Sequence, residues 1–181
     1  MSDRRIDIPA EVIAAVKQQA EEEAPNEACG YLVGRIEAGS DGPDSPGGAS
    51  APRSANGPGG GNGPRSAEEL EAGEASTGEV RVVTRHIRMT NADASPEHFS
   101  FRPQEQFDAL KSARDSGEQL VGVYHSHPET PARMSEEDIR LANDVNTIYV
   151  IHSLATGETK AFSVTKDKEV LTVAVGEGVK T

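Results

Sequence analysis

Apolar residues recur along this chain in short runs, and the spacing within each run separates helices from strands. Val12, Ile13 and Val16 fall on one face of a helix, since side chains three and four apart lie above one another. That helix opens at Pro9, a residue whose missing N–H costs nothing in a first turn, and ends near Pro25. The residues before it, to Ile8, form a strand or an arm. The run CGYLVGRI at 29–36 is short, apolar and bounded by glycine and charge, which predicts a buried strand. EVRVVTRHIRMT at 79–90 is rich in β-branched residues and predicts the returning strand. Residues 91–101 read as a loop. A second helix is predicted over 103–117, with Pro103 at its start, Phe107, Leu110 and Ala113 on one face, and Gly117 as its stop. An apolar strand then runs from Leu120 to His125, and TIYVIHS, KAFSVT and EVLTVAV follow as three more short strands. The sum is an α/β domain, a mixed, curved β-sheet with flanking helices.

One segment cannot contribute to that core. Residues 38–66 hold nine of the 18 glycines and five of the 11 prolines, with no apolar side chain larger than alanine. With the acidic flank of Glu68, Glu69, Glu71, Glu74 and Glu79, this predicts a disordered Gly/Pro-rich insertion at about 38–79, between two strands of a hairpin. Such a loop is tolerated because each doubling of its length costs only about 0.6 kcal/mol. It has no aromatic or aliphatic anchors with which to order as a lid over a substrate. The remainder suits one domain over 1–181.

Composition narrows the setting. Lys and Arg number 18 against 30 Asp and Glu, a net charge of −12, which argues against a nucleic-acid partner. Only six of the basic residues are Lys, and an acidic, Lys-poor surface suits a halophilic archaeon, where salt near 1 M shortens the screening length to about 3 Å. The bland alternative is an ordinary acidic enzyme whose acid surplus sits partly in the insertion. No apolar run approaches the roughly 20 residues of a membrane span, and none at the start reaches the length of a secretion signal. A cytoplasmic location away from membranes is expected. Cys29 is the single cysteine, which excludes an intrachain disulfide and any multi-cysteine zinc site. It is expected as a small buried apolar residue.

The chemistry gathers in VGVYHSHPETPARMSEED, residues 121–138. His125 and His127 lie two apart, so on a strand both imidazoles leave the same face and can converge on one ion. Pro128 and Pro131 allow a turn, and Ser135-x-x-Asp138 has the form that opens a helix, which brings Asp138 back beside the histidines. Two imidazoles and one carboxylate leave the fourth position of tetrahedral zinc open, the arrangement of catalytic sites. His86, His98 and His152 have no such spacing and are expected to be structural or surface residues.

This pattern, H-x-H-P then S-x-x-D with Glu27 upstream in PNEACGYLVG, resembles the JAMM (MPN-plus) zinc metalloproteases of compact archaeal and bacterial type. The resemblance runs from the first helix to the strands after Thr147, leaving out the insertion. It implies a cytidine-deaminase-like MPN domain holding one Zn2+ per chain through His125, His127 and Asp138, with Glu27 as general base. It further implies that Ser135 supports the tetrahedral intermediate, while the same S-x-x-D spacing makes Ser135 a helix N-cap worth about 1 kcal/mol. The activity implied is an isopeptidase that removes ubiquitin-like modifiers, such as archaeal small modifier proteins, by cleaving after their C-terminal Gly-Gly. Two alternatives stand beside it: a peptidase that processes a sulfur-carrier protein adduct, and a non-catalytic MPN scaffold, which would be expected to lack ligands. Other histidine chemistries fit less well. Amidohydrolase barrels are typically near 250 residues, and zinc deaminases need H-x-E with P-C-x-x-C, absent here.

Overall fold

The computed structural model describes residues 2–39 and 78–178, and the predicted insertion lies almost wholly outside them. In chain order the elements are β1 (Arg5–Ile8), α1 (Ala10–Glu23), β2 (Cys29–Ala38), β3 (Glu79–Met89) and α2 (Pro103–Asp115). β4 (Gln119–His127), α3 (Glu136–Leu141), β5 (Tyr149–Ser153), β6 (Thr159–Val164) and β7 (Val170–Glu177) follow. The mixed, curved sheet expected above is present with its flanking helices, and its curvature carries through to closure. The strands run β1-β3-β2-β4-β5-β6-β7, and β1 pairs in parallel with both β3 and β7. β2 and β3 form the expected hairpin, which slips by one residue at Val33/Gly34 and runs down to Ala38 opposite Glu79 at the base of the insertion.

The inner face of the sheet packs on α1. Val12 and Val16 share one cluster with Ile6 and Ile8 of β1, Leu32 of β2, Val83 of β3, Tyr124 of β4 and Val173 of β7. A one-residue slip between β2 and β4 at Leu32/Val33 puts Gly122 opposite Leu32 and Leu120 opposite Val33, leaving Val121 as the extra residue. Val121 therefore joins Tyr124 in the inner cluster although simple alternation would place it outside. Gly30 stands opposite Tyr124, where an added Cβ would lie 2.3 Å from the phenol oxygen, so only glycine lets this ring cross the strand. The outer face carries two smaller clusters: Cys29, Met89 and Ala109 under α2, and Ile151, Phe162 and Val164 beside α3.

α2 differs from its predicted face. Ala109 and Ala113 are buried, whereas Phe107 is 63% exposed and Leu110 38%. The alanines, four apart, let the helix approach β2 and β4 closely, and the larger side chains are turned outward. α1 holds a surprise of the opposite kind, a buried polar residue on its apolar stripe. Gln19 donates to the Cys29 carbonyl (3.1 Å) and accepts from the Tyr124 hydroxyl (2.6 Å), tying the helix to the two strands that lead to the candidate site. Tyr124→Phe strands the Gln19 carbonyl and is expected to lower unfolding stability by about 1–3 kcal/mol in a denaturant titration, with no change in metal content. Among the described residues no helix is long and apolar enough to cross a membrane.

Candidate metal centre

β4 ends in Tyr124-His125-Ser126-His127, and strand alternation decides where each side chain goes. Tyr124 turns to α1, while His125 and His127 emerge together on the outer face at the carboxyl end of the strand. β4 is parallel to β5, so the chain must cross over before pairing again, and α3 sits in that crossover. Residues 128–134 are pinned on the way: Ser153 Oγ donates to the Thr130 carbonyl (2.6 Å), and His127 Nδ1 to that of Pro131 (3.0 Å). α3 then opens on a capping box. Ser135 Oγ accepts from Asp138 N (3.1 Å), and Asp138 Oδ2 accepts from both the N–H and the hydroxyl of Ser135 (2.8 Å each). This cap aims the Asp138 carboxylate back at β4.

Three side chains converge there. His125 Nε2 and His127 Nε2 lie 3.1 Å apart, Asp138 Oδ1 is 3.3 Å from the first and Oδ2 3.4 Å from the second. Because the Pro131 carbonyl can only accept, Nδ1 of His127 carries a proton, and in the neutral ring it is Nε2 that keeps the lone pair a metal would take. His125 is held differently, its ring stacked on Phe99 at 4.8 Å between centroids. Its Nδ1 is buried without a partner. Acceptors crowd together in this way around a cation, and their separations match the roughly 3.3 Å edge of a tetrahedron whose metal–ligand bonds are about 2.0–2.1 Å. The donor set fits zinc.

Glu27 approaches from the other side, just ahead of β2, with Oε1 3.9 Å from His127 Nε2, and it too falls within reach of an ion held by the two histidines. The two carboxylates are nevertheless set apart. Asp138 lies closer to both rings, and although burial opposes its ionisation, hydrogen bonds from His125 and His127 hold its carboxyl far below the usual range. Glu27, 2% exposed, is pushed up to about 8 by burial and by the Asp138 charge, against the pull of His127. His127 is itself raised: burial works against its charge, and Asp138 and the Pro131 carbonyl outweigh it. A carboxylate held firmly ionised beside one whose pKa is raised toward neutrality is the division of labour expected between a ligand and a proton carrier.

The backbone around Glu27 is fully tied while its carboxylate is not. Glu27 N donates to the Ser95 carbonyl (2.8 Å) and Ala28 N to Ser126 Oγ (2.8 Å). The Glu27 carbonyl accepts from Asn91 Nδ2 (3.1 Å) and that of Ala28 from Ser126 N (2.9 Å). Glu27 Oε2, by contrast, is buried with no partner. Beside the cluster opens a cleft of about 260 Å³, walled by Phe99, Phe101, Tyr31, Tyr149 and Leu141, with His125 and Asp138 at its floor.

All five residues singled out in the sequence thus meet in one place, and Ser135 does so through Asp138, with its hydroxyl proton engaged by that carboxylate. His86 sits edge-on to Tyr124, His98 bonds Ser95 on the cleft wall, and His152 is buried against Thr159. The sequence marks the flank 91–101 as a wall of the substrate groove, which Phe99 and Phe101 line, without singling out Phe99 or Asn91, and it does not mark Ser126. A lone aromatic and a lone amide in a loop carry no periodic signal, and Ser126 is hidden between the two histidines it separates.

The matching family model is that of the prokaryotic homologs of the JAB domain, over residues 63–165. A protein of Mycobacterium tuberculosis named CysO-cysteine peptidase is 29% identical over 146 residues, 81% of this chain and 71% of its own length. One of Haloferax volcanii named desampylase is 32% identical over 80 residues, 44% of this chain and 58% of the relative. A solution structure of a Desulfitobacterium hafniense protein superposes with a TM-score of 0.68 at 31% identity, covering 97% of this chain and 94% of that one.

Proposed function

Because this chain belongs to the prokaryotic homologs of the JAB domain and is a peptidase of that family, we propose that it is a zinc-dependent hydrolase of ubiquitin-like protein conjugates that cleaves after a C-terminal Gly-Gly. The observation that carries this reading is the convergence of His125 Nε2, His127 Nε2 and the Asp138 carboxylate within 3.1–3.4 Å. His125, His127 and Asp138 would hold the ion, which when bound polarises a carbonyl and brings the pKa of water to about 7. Glu27 is the proton carrier: its unpartnered carboxylate takes a proton from the attacking water and returns it to the nitrogen of the leaving amine. Ser135 keeps Asp138 aimed, and its hydroxyl supports a developing oxyanion once it lets go of Asp138 Oδ2. Phe99, stacked on the His125 ring, covers that side of the site.

The cleft suits a tail and not a folded domain. An extended glycine segment brings its backbone close to the floor because no side chain intervenes. What lies beyond the Gly-Gly separates two readings. The Haloferax relative's name and the acidic, Lys-poor composition favour a small modifier joined to lysine, in a salty cytoplasm. The longer similarity to the mycobacterial peptidase favours a sulfur-carrier protein bearing a C-terminal cysteine. Zinc-loaded protein, at low and high salt, is expected to cut a Gly-Gly-linked conjugate at least about tenfold faster than its Val-Val counterpart, a difference of roughly 1.4 kcal/mol in transition-state binding. Running the lysine-linked and cysteine-ended carriers side by side decides between the readings. Equal cleavage of the Gly-Gly and Val-Val forms sinks both.

A further inference from the structure

Asn91 is the second residue beyond β3 and is 9% exposed, an unusual burial for an amide at the head of a loop. A primary amide offers two N–H groups and two lone pairs, and here all four are used. Nδ2 donates to the carbonyls of Glu27 and His98, at 3.1 Å each, with the Ser95 carbonyl further off at 3.5 Å. Oδ1 accepts from Asp93 N (3.0 Å) and Ser100 N (3.4 Å). One partner belongs to the segment that delivers Glu27, and the others are spread over residues 93–100. That loop reaches the site twice more, since its Ser95 carbonyl takes the Glu27 N–H and its Phe99 stacks on His125.

We infer that Asn91 is a positioning residue for the reaction: its side chain holds the peptide of Glu27 and the Phe99 loop as one unit, so that the Glu27 carboxylate stays at its distance from the histidines. The backbone groups of Glu27 and Ala28 all have their partners on either this loop or Ser126, and Ser126 is fixed within β4. The loop side has no sheet to hold it, and Asn91 supplies what a ladder would. A glutamine would reach one methylene too far, and an aspartate would lose both donors while burying a charge beside the Glu27 carbonyl. The inference rests on the proposed hydrolysis for its catalytic consequence and on geometry alone for its structural one.

The test has two arms, run on the zinc-loaded full chain. In the first, amide hydrogen exchange is followed by NMR in wild type, Asn91→Ala and Asn91→Ser, the serine keeping a cap for Asp93 N without reaching Glu27. The Glu27 amide is expected to exchange about tenfold or more faster in both variants, while amides of β4 and β5 keep their wild-type rates. In the second, single-turnover cleavage of a ubiquitin-like protein joined through Gly-Gly to a fluorescent amine is measured for Asn91→Ala with and without Glu27→Gln. The loss should be about 10- to 100-fold with Glu27 present, the scale of a 1 Å misplacement, and less than about twofold in its absence. An unchanged Glu27 amide, or the same loss in both backgrounds, overturns the assignment. If wild type leaves the conjugate intact, the hydrolase reading falls and the exchange arm alone decides Asn91.

Discussion

Glu27→Gln is expected to keep a full complement of zinc and to lose hydrolysis by about 10²- to 10⁴-fold, the range that a positioned general base supplies. The amide is close to isosteric with the carboxyl, and the site already holds a group whose charge it disfavours: burial raises the Glu27 pKa to about 8 and leaves Oε2 without a partner. Replacing it with a neutral group therefore leaves the fold at least as stable. The backbone bonds of Glu27 and Ala28 to Ser95, Asn91 and Ser126 do not depend on the side chain, so the geometry of the strand entrance persists. What disappears is the group that can take a proton and give it back. Elemental analysis of the purified variant, together with its turnover of the Gly-Gly conjugate, reads both halves of the expectation. Loss of zinc would make Glu27 a ligand, as its proximity to both histidines permits, and wild-type turnover would remove it from the mechanism.

His125→Ala and Asp138→Ala are expected to behave differently, losing zinc and activity together. Each removes one of only three donors, and a site reduced to two has neither the charge nor the geometry to retain the ion against a chelator. Metal content should fall from about one per chain to near zero, with turnover indistinguishable from a chelator-treated wild type. Asp138→Ala carries an extra cost, because Asp138 Oδ2 also accepts both bonds from Ser135; loss of that half of the capping box removes about 1 kcal/mol. Asp138→Asn separates the two effects, since the amide oxygen can still close the box while the charge is gone. Stability near wild type with the metal lost is the result that assigns the carboxylate to the ion. A variant of either residue that holds stoichiometric zinc would move the centre elsewhere.

Much of this was readable from residues alone because the relevant periods are short. His125 and His127 share a face by simple alternation, and the S-x-x-D of Ser135 and Asp138 carries its capping geometry in its spacing. The curved mixed sheet follows from the apolar runs, the family from the resemblance carried by H-x-H-P, S-x-x-D and Glu27, and both stand. The readings that strayed involve partners the spacing cannot reveal. Phe107 and Leu110 formed the more apolar stripe of α2, yet the sheet took the Ala109–Ala113 side, because closeness of approach outweighs side-chain size where a helix crosses a pleated surface. Gln19 and Asn91 read as ordinary polar residues, and both are buried because every one of their bonding groups finds a fixed partner. Val121 sits in the inner cluster through a slip of register that no alternation count anticipates. Residues 40–77, where composition predicts an insertion, lie outside the described structure.

The closure of the sheet by β1 bears on how the chain is made. β1 is only four residues long, and its two edges are shared between Val80–Val82 and Ala174–Glu177. Synthesis proceeds from the N-terminus, so among the described strands the one that emerges first is paired on its second side by the one that emerges last. Throughout that interval Ile6 and Ile8, both destined for the inner cluster, lie on an edge with unpaired amides and carbonyls. Among the described residues, helix α1, which follows directly, and Leu32 of β2 are the apolar partners that emerge before β3. Until β7 is made, the β7-facing edge of β1 stays open, and an open strand edge is the part of a nascent chain most exposed to wrong pairing.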